Sequence, residues 1–501
     1  MESTVQEERG WPRIVPIILD PFKGRSRQFV ALAVVLFLTA IGWLWVTNTR
    51  YIAMPAALAL AGVLMLFSTA VVAIRDSAQA TIRYVDHLIP RPAPQGRFLV
   101  GCRIGRRSIS CDVIQVDTSE PAAPDVPHYA NIRTLVELQT KPFDGDEEPS
   151  GPELYSAMAA MILDSIRRAM PKLPPTGHLT SIGIGVPGVV DISTSTLAKP
   201  MPPFGIADVA DEVAGHLLAL PESKDAIREA FGIGADRDGS DLRRDLARRI
   251  YVDNDCRCAA RFLLSQHGHD PHWRNYAVVH VGTGVGSAFV LDGSIYYGSH
   301  HAAGEVGHVG LHPSSVFAPE GGARPPLRRC GCGMLGLHFE TMVNYEGLAS
   351  IAEMLDAKIV AELRAAFASP GAWRFSRRTL IDVVEVVVGR GRVPGEANPV
   401  LQTPEVRAFV AKVIEEYERI LSFGLATLAN VFDLDHVVLL GSLVEELNER
   451  YPHFTQRLDA LVQAQILYGP VNLTFSNVER ATSYGAALIP WDPTYHNWAA
   501  R

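Results

Sequence analysis

Six cysteines in 501 residues are too few for a disulfide framework, and charged side chains make up only 20% of the chain. The first shortage excludes the small secreted scaffolds that depend on cross-links. The second, beside 48% hydrophobic residues, excludes a disordered chain. Surplus positive charge is also missing: 46 Lys and Arg stand against 54 Asp and Glu, a formal net charge of −8. There is no overall electrostatic footprint for nucleic acid, so no nucleic-acid partner is expected. No repeat of fixed period and no low-complexity tract is present. What remains is ample core material, with 14 Tyr, 19 Phe and 7 Trp, in a chain long enough for two or three compact units.

Two stretches lack charge entirely: residues 29–46 (FVALAVVLFLTAIGWLWV) and 52–74 (IAMPAALALAGVLMLFSTAVVAI). A hydrocarbon core of roughly 30 Å needs about 20 apolar residues of helix, and each run is long enough. Only 47–51 separates them, so they predict a tight hairpin. Arg13, Lys23, Arg25 and Arg27 precede it and Arg75 and Arg83 follow, whereas Arg50 alone lies in the turn. Positive flanks stay inside, which predicts a cytoplasmic tail at 1–27, a transmembrane hairpin at 28–75 and a Pro-containing linker at 76–97. The soluble part would then face the cytoplasm from the inner membrane. A cleaved signal peptide does not need a second apolar run after a 28-residue polar lead. Neither run holds an ionisable residue, so the hairpin is expected to anchor rather than transport.

Beyond the linker, apolar runs at 98–104, 110–116 and 181–188, the last ending in Gly and Pro, read as strands, with a helix at 153–170 between the second and third. Further strands are expected from Tyr276, Ser287, His436 and Val471. A long helix at 404–432 carries Val406, Phe409, Val410, Val413, Ile414, Tyr417, Ile420 and Leu421 on one stripe. The alternation predicts an α/β architecture. Residues 221–249 are charged and expected to be helical; 369–403 resists assignment.

Three segments carry chemistry. HVGTGVGSAFVLDG, 280–293, sets Gly282, Gly284 and Gly286 around Thr283 between two strands; such a turn offers backbone N–H groups to an anion, and is equally common as plain hairpin chemistry. VDNDCRCAARFL begins at Val252 and clusters Asp253, Asn254 and Asp255 between an apolar run and a helix. A carboxylate there suits a general base, and an N-cap needs the same residue types. Lastly, His308, Cys330, Cys332 and His338 supply two thiolates and two imidazoles, the donor set of a closed tetrahedral zinc site, with His312 competing for the place of His308.

Order and separation make the three segments resemble one family. GIGVPGVVD at 183–191, VDNDCRCAA, GTGVGSAFVLDG, AAGEVGH ending at His308, NVFDLDHVVLLGSL at 430–443 and SYGAAL at 483–488 are similar to the motifs of the ROK family (repressor, open reading frame, kinase). The resemblance implies a two-lobed actin-like, ribonuclease H-like sugar kinase fold, with lobes at 98–270 and 271–501. It implies a cleft holding a hexose or N-acetylhexosamine on one side and ATP with Mg²⁺ on the other. Asp255 would take the proton of the attacking hydroxyl. Asn254, Glu305, His308 and Glu340 would bind sugar hydroxyls; Gly282, Thr283, Gly284 and Gly286 would wrap the phosphates, and Gly441 would pass beneath the adenosine. His308, Cys330, Cys332 and His338 would bind structural zinc. A homodimer is left open. Where family kinases carry D-x-G-G-T, this chain has Arg103, Ile104, Gly105, Arg106 and Arg107, so a cation replaces the acidic residue associated with Mg²⁺. That departure motivates a second expectation, a non-catalytic sugar-binding sensor or scaffold. Family repressors begin with a DNA-reading element, whereas the first 97 residues here are expected to form the hairpin and linker, so a repressor is not expected.

Overall fold

The computed structural model describes residues 98–499 apart from 106–107, 117–131, 141–149, 201–203, 269, 312–327, 331, 368–402, 452 and 477. The tail, membrane hairpin and linker, His312, and the unassigned stretch except Thr403 lie outside the described residues. Among the described residues no helix is long and apolar enough to cross a membrane.

Strands β1 (Phe98–Ile104), β2 (Ile109–Val116) and β3 (Ile132–Thr140) form an antiparallel meander. Helix α1 (Gly151–Ala169) follows, started by a capping box in which Ser150 N–H donates to Glu153 Oε2 at 2.7 Å. It leads to β4 (Leu179–Val186), which pairs parallel with β1. A small sheet of β5 (Gly188–Asp191), β6 (Thr196–Pro200) and β7 (Ala207–Asp208) comes next. Three helices then cover the lobe: α2 (Val209–Ala219), α3 (Ser223–Phe231) and α4 (Gly239–Ala247). Strand β8 (Ile250–Asn254) pairs parallel with β4, giving a first sheet in the order β3-β2-β1-β4-β8.

Helix α5 (Asp255–His267) carries the chain to β9 (Tyr276–Val281), β10 (Val285–Leu291) and β11 (Ser294–Ile295), a second antiparallel meander. The chain continues through a two-stranded hairpin, β12 (Arg328–Arg329) and β13 (Leu335–Gly336), and the helices α6 (Phe339–Val343), α7 (Tyr345–Leu355) and α8 (Ala357–Phe367). The long helix is α9 (Pro404–Phe432), begun by Thr403 accepting from Val406 N–H and closed by Asp433 in the left-handed region at φ 51°. Strand β14 (His436–Leu440), helices α10 (Ser442–Arg450) and α11 (Phe454–Gln463) and strand β15 (Asn472–Phe475) complete a second sheet in the order β11-β10-β9-β14-β15. Both sheets have the same pattern: two antiparallel pairings, then two parallel ones. This is the two-lobed α/β fold expected.

Strand β9 explains why the central strands read as unbroken apolar runs. Its alternate residues face different cores: Tyr276 and Val278 join the core of the first lobe, while Ala277, Val279 and Val281 join the core beneath α9. Helix α5 lies between the sheets and fills the first of these cores with Cys256, Cys258, Ala259 and Leu263.

The last helices, α12 (Val478–Ala487) and α13 (Pro493–Ala499), follow the second sheet in sequence, yet α12 lies on the first sheet. The cause is a pair of glycines. Gly101 and Gly183 are register partners in β1 and β4; a Cβ on either would overlap the Ser483 or Ala486 carbonyl of α12. Only a side-chain-free patch lets a helix come so near, and α12 therefore packs on the first sheet although it follows the second in sequence.

Helix α12 also touches a buried acid. Asp112 of β2 is 3% exposed and accepts a hydrogen bond from Ser483 Oγ. Burial raises its carboxyl to about 6, against the lowering effect of that bond. The folded value exceeds the unfolded one, so this contribution to stability is present below about pH 4 and is lost as pH rises through about 6. Between pH 5 and pH 8 the stability of Asp112→Asn is expected to gain on the unsubstituted chain by about 1.4 kcal/mol. Parallel denaturation curves at the two pH values check this, and an equal difference at both would refute it.

Candidate functional site

The crevice chemistry gathers where α5 begins. Asn254 caps the helix, its Oδ1 accepting from Cys256 N–H at 2.9 Å and Arg257 N–H at 3.2 Å, while Nδ2 donates to the Gly188 carbonyl at 3.1 Å. The side chain expected to hold a sugar hydroxyl is thus engaged in capping and in tying down β5. Asp255, the first helical residue, is half-buried and accepts from Cys256 N–H at 2.9 Å. Its negative charge and the positive charge of Arg103, at the end of β1, both act on Cys256 and on His280. Burial pushes His280 down to about 4, with Asp255 opposing and Arg103 reinforcing the shift. Arg103 donates to Ser108 Oγ at 3.4 Å. His280 was not among the residues expected from sequence; its one signal was its place near the end of β9, two residues before Gly282. Arg106 and Arg107 lie outside the described residues.

Asp253 faces the other way. It is fully buried, and its Oδ1 accepts from Arg257 Nε at 2.6 Å while Oδ2 accepts from Arg261 Nη2 at 2.7 Å and Tyr297 Oη at 2.9 Å. Arg261 Nε donates onward to Asp492 at 2.9 Å. Burial alone would raise the Asp253 carboxyl; the Arg257 and Arg261 guanidinia overcome it and hold the group below its ordinary value. The network joins β8, α5, the segment after β11 and the chain's last turn, so it fixes the junction from which Asp255 projects.

The glycine turn lies beside that junction. A Cβ on Gly286 would stand 2.9 Å from Cys256 Sγ, one residue from Asp255. Parallel pairing sets Leu440 opposite His280, which brings Gly441, at φ 114°, against the Val281 carbonyl. Ser442 Oγ, a hydroxyl that sequence reasoning passed over, is 3.4 Å from where a Cβ on Gly282 would be. Thr283 is exposed at the tip. Gly282, Thr283, Gly284, Gly286 and Gly441 are therefore gathered at one place, next to the start of α5.

The cysteines and histidines converge as well. Ligand atoms of His308, Cys330, Cys332 and His338 all lie within 4.8 Å of one another. His308 Nδ1 is 3.1 Å from Cys330 Sγ, and His338 Nδ1 is 3.6 Å from Cys332 Sγ. Metal–sulfur bonds of about 2.3 Å and metal–nitrogen bonds of about 2.0 Å in a tetrahedron leave neighbouring donors about 3.3–3.8 Å apart, so these four residues fit a divalent ion. Burial pushes the Cys330 thiol up to about 12, so an ion would have to displace its proton. The remaining nitrogen of His308 meets Glu305 Oε2 at 3.3 Å, and Glu305 is exposed. Glu340 departs from expectation. It turns inward at 5% exposure, Oε2 accepting from Val285 N–H at 3.0 Å and Oε1 from the Cys330 thiol at 3.4 Å, so both oxygens are held within the protein.

Residues 238–489 match the sequence model of the ROK family. N-acetyl-D-glucosamine kinase of Salmonella paratyphi A (strain ATCC 9150 / SARB42) is 33% identical over 187 residues, covering 36% of this chain and 57% of that relative. The kinase of the same name from Citrobacter koseri is 30% identical over 195 residues, 38% of this chain and 51% of the relative. The chain spans little more than half the length of these curated relatives. Of solved structures, the ROK hexokinase from Thermus thermophilus has a TM-score of 0.47 at 19% identity, covering 78% of this chain and 97% of that one. A ROK family transcriptional regulator homologous to the E. coli MLC protein has a TM-score of 0.48 at 18% identity, covering 81% of each.

The buried network makes a direct prediction. Arg261→Ala strands Asp253 and Asp492 without their shared cation and is expected to cost about 3–5 kcal/mol, read as a lower denaturation midpoint. A cost under about 1 kcal/mol would mean that the carboxylates are hydrated in solution and the network does not hold the junction.

Proposed function

Because the chain belongs to the ROK family, we propose that it is an ATP-dependent sugar kinase acting on a hexose or N-acetylhexosamine, held at the cytoplasmic face of the inner membrane by the apolar runs at 29–46 and 52–74. The observation that carries this reading is the convergence of Asp255, the 282–286 turn and Gly441 at the start of α5. Phosphoryl transfer asks mainly for positioning and charge neutralisation, with one base for the nucleophile.

In this reading Asp255 accepts the proton of a sugar hydroxyl as that oxygen attacks the γ-phosphorus of ATP and the bond to the β–γ bridging oxygen breaks, releasing ADP. Backbone N–H groups of the turn and the Thr283 hydroxyl hold the phosphates. Glu305 and His308 bind sugar hydroxyls, each orienting the other; Asn254 and Glu340 support the site from behind through their internal bonds. His280 stays neutral between Asp255 and Arg103, so it adds no charge to the crevice. Mg²⁺ bound with ATP would neutralise phosphate charge, and Arg103 contributes a fixed cation beside it. His308, Cys330, Cys332 and His338 suit zinc, which when bound supplies rigidity to the substrate loop and no hydrolytic chemistry.

Arg103 also favours the second reading, a sugar-binding sensor or scaffold of the same fold. The full chain in detergent micelles, given ATP-Mg²⁺ and a panel of hexoses and N-acetylhexosamines, separates the two. Sugar-dependent ADP release that falls about 10²–10⁴-fold in Asp255→Asn supports the kinase. Thermal stabilisation by a sugar with no ADP supports the sensor, and neither response overturns both. Metal analysis should find about one zinc per chain, lost in Cys330→Ser/Cys332→Ser. Release of the chain from membranes by alkaline carbonate would refute the tether.

A further inference from the structure

The metal cluster ends where a short helix begins, and that helix touches the glycine turn at both ends. His338, a cluster residue, immediately precedes α6, and Asn344 immediately follows it. Glu340, in the first turn of α6, spans the gap between cluster and turn, with one oxygen on the Cys330 thiol at 3.4 Å and the other on Val285 N–H at 3.0 Å. At the far end Asn344 Nδ2 donates to the Thr283 carbonyl at 3.1 Å, while its Oδ1 accepts from Gly347 N–H at 2.8 Å and so caps α7. Tyr345 N–H donates to the Gly282 carbonyl at 3.2 Å. Gly282, Thr283 and Val285 are thus fastened by α6 and its junction with α7, a stretch that begins directly after a cluster residue.

We propose that Glu340 and Asn344 are positioning residues that couple metal occupancy of the cluster to the affinity of the 282–286 turn for nucleotide phosphate. The inference rests on the reading of that turn and that cluster given above. The physical reason lies in what holds each part. Strands β12 and β13 have two residues each, too short to keep Cys330 and Cys332 in place unaided. A metal cross-link to His308 and His338 fixes them and the start of α6 together. Backbone amides bind an anion well only when already aimed, because aiming them during binding consumes the interaction energy. Fixing α6 keeps Glu340 on Val285 N–H and Asn344 on the Thr283 carbonyl, which sets the turn before ATP arrives. Coupling of binding free energies is reciprocal, so bound ATP must strengthen metal binding by the same factor.

The test uses the full chain in detergent micelles, loaded with Zn²⁺ or stripped by a chelator, with ATP binding followed by titration calorimetry in the absence of sugar. Zinc loading is expected to tighten ATP binding about tenfold, and ATP to raise zinc affinity equally in a chelator competition. Glu340→Ala and Asn344→Ala should still take up zinc but bind ATP alike with and without it. Glu340→Gln, which keeps an oxygen for Val285 N–H, should retain part of the coupling. If the unsubstituted chain binds zinc and ATP independently, or coupling survives in both alanine variants, this inference alone fails. Absence of zinc uptake would overturn it together with the cluster reading, and absence of ATP binding in either state would overturn it together with the nucleotide reading.

Discussion

Asp253 can remain ionised inside the protein only while Arg257 and Arg261 remain beside it, and this requirement sets the geometry of everything nearby. The two arginines stand on the first turns of α5, so the helix cannot tilt or slide relative to β8 without uncovering the carboxylate. Tyr297 and Asp492 extend the same demand to the second meander and to the chain's last turn. Asp255, two residues from Asp253, inherits its position from the network without taking part in it. Asp253 serves the interior while Asp255 is half-buried; residues two apart on a strand would share a face, so the change from strand to helix at Asp255 is what separates them.

Much of this was readable from residues alone, for identifiable reasons. Strands buried on both faces give unbroken apolar runs, which is why β1, β4, β9 and β14 stood out. Helix α9 could be delimited because its apolar stripe is long and Thr403-Pro404 marks its start. Strand β3 was missed: IRTLVELQT at the sheet edge alternates burial only weakly and carries exposed polar side chains. The matching order of the two sheets was also invisible, since it resides in which strand bonds to which and not in any recurring residue pattern.

The site divides along the same line. Residue types and spacing brought forward Asp255, the glycine turn and the four Cys and His side chains that could hold a metal, because each chemistry demands those types. Direction could not be read. Asn254 and Glu340 have the right chemistry for a hydroxyl-bearing ligand, yet one caps a helix and the other turns toward Val285, and only neighbours distant in sequence decide that. The packing of α12 is hidden for a similar reason: Gly101 and Gly183 look unremarkable until Ser483 and Ala486, more than 300 residues further along the chain, are found lying across them.

That last contact bears on how the molecule comes into being. While the ribosome is still at work, the first sheet emerges early but one of its faces has no cover, since the segment that seals it follows the whole second sheet in the chain. Its apolar surface must wait, open to chaperones or to mispairing, until the closing helix leaves the exit tunnel. The first sheet is therefore made well before it is finished, and a chain cut short before residue 478 would leave Gly101 and Gly183 without the helix that lies across them.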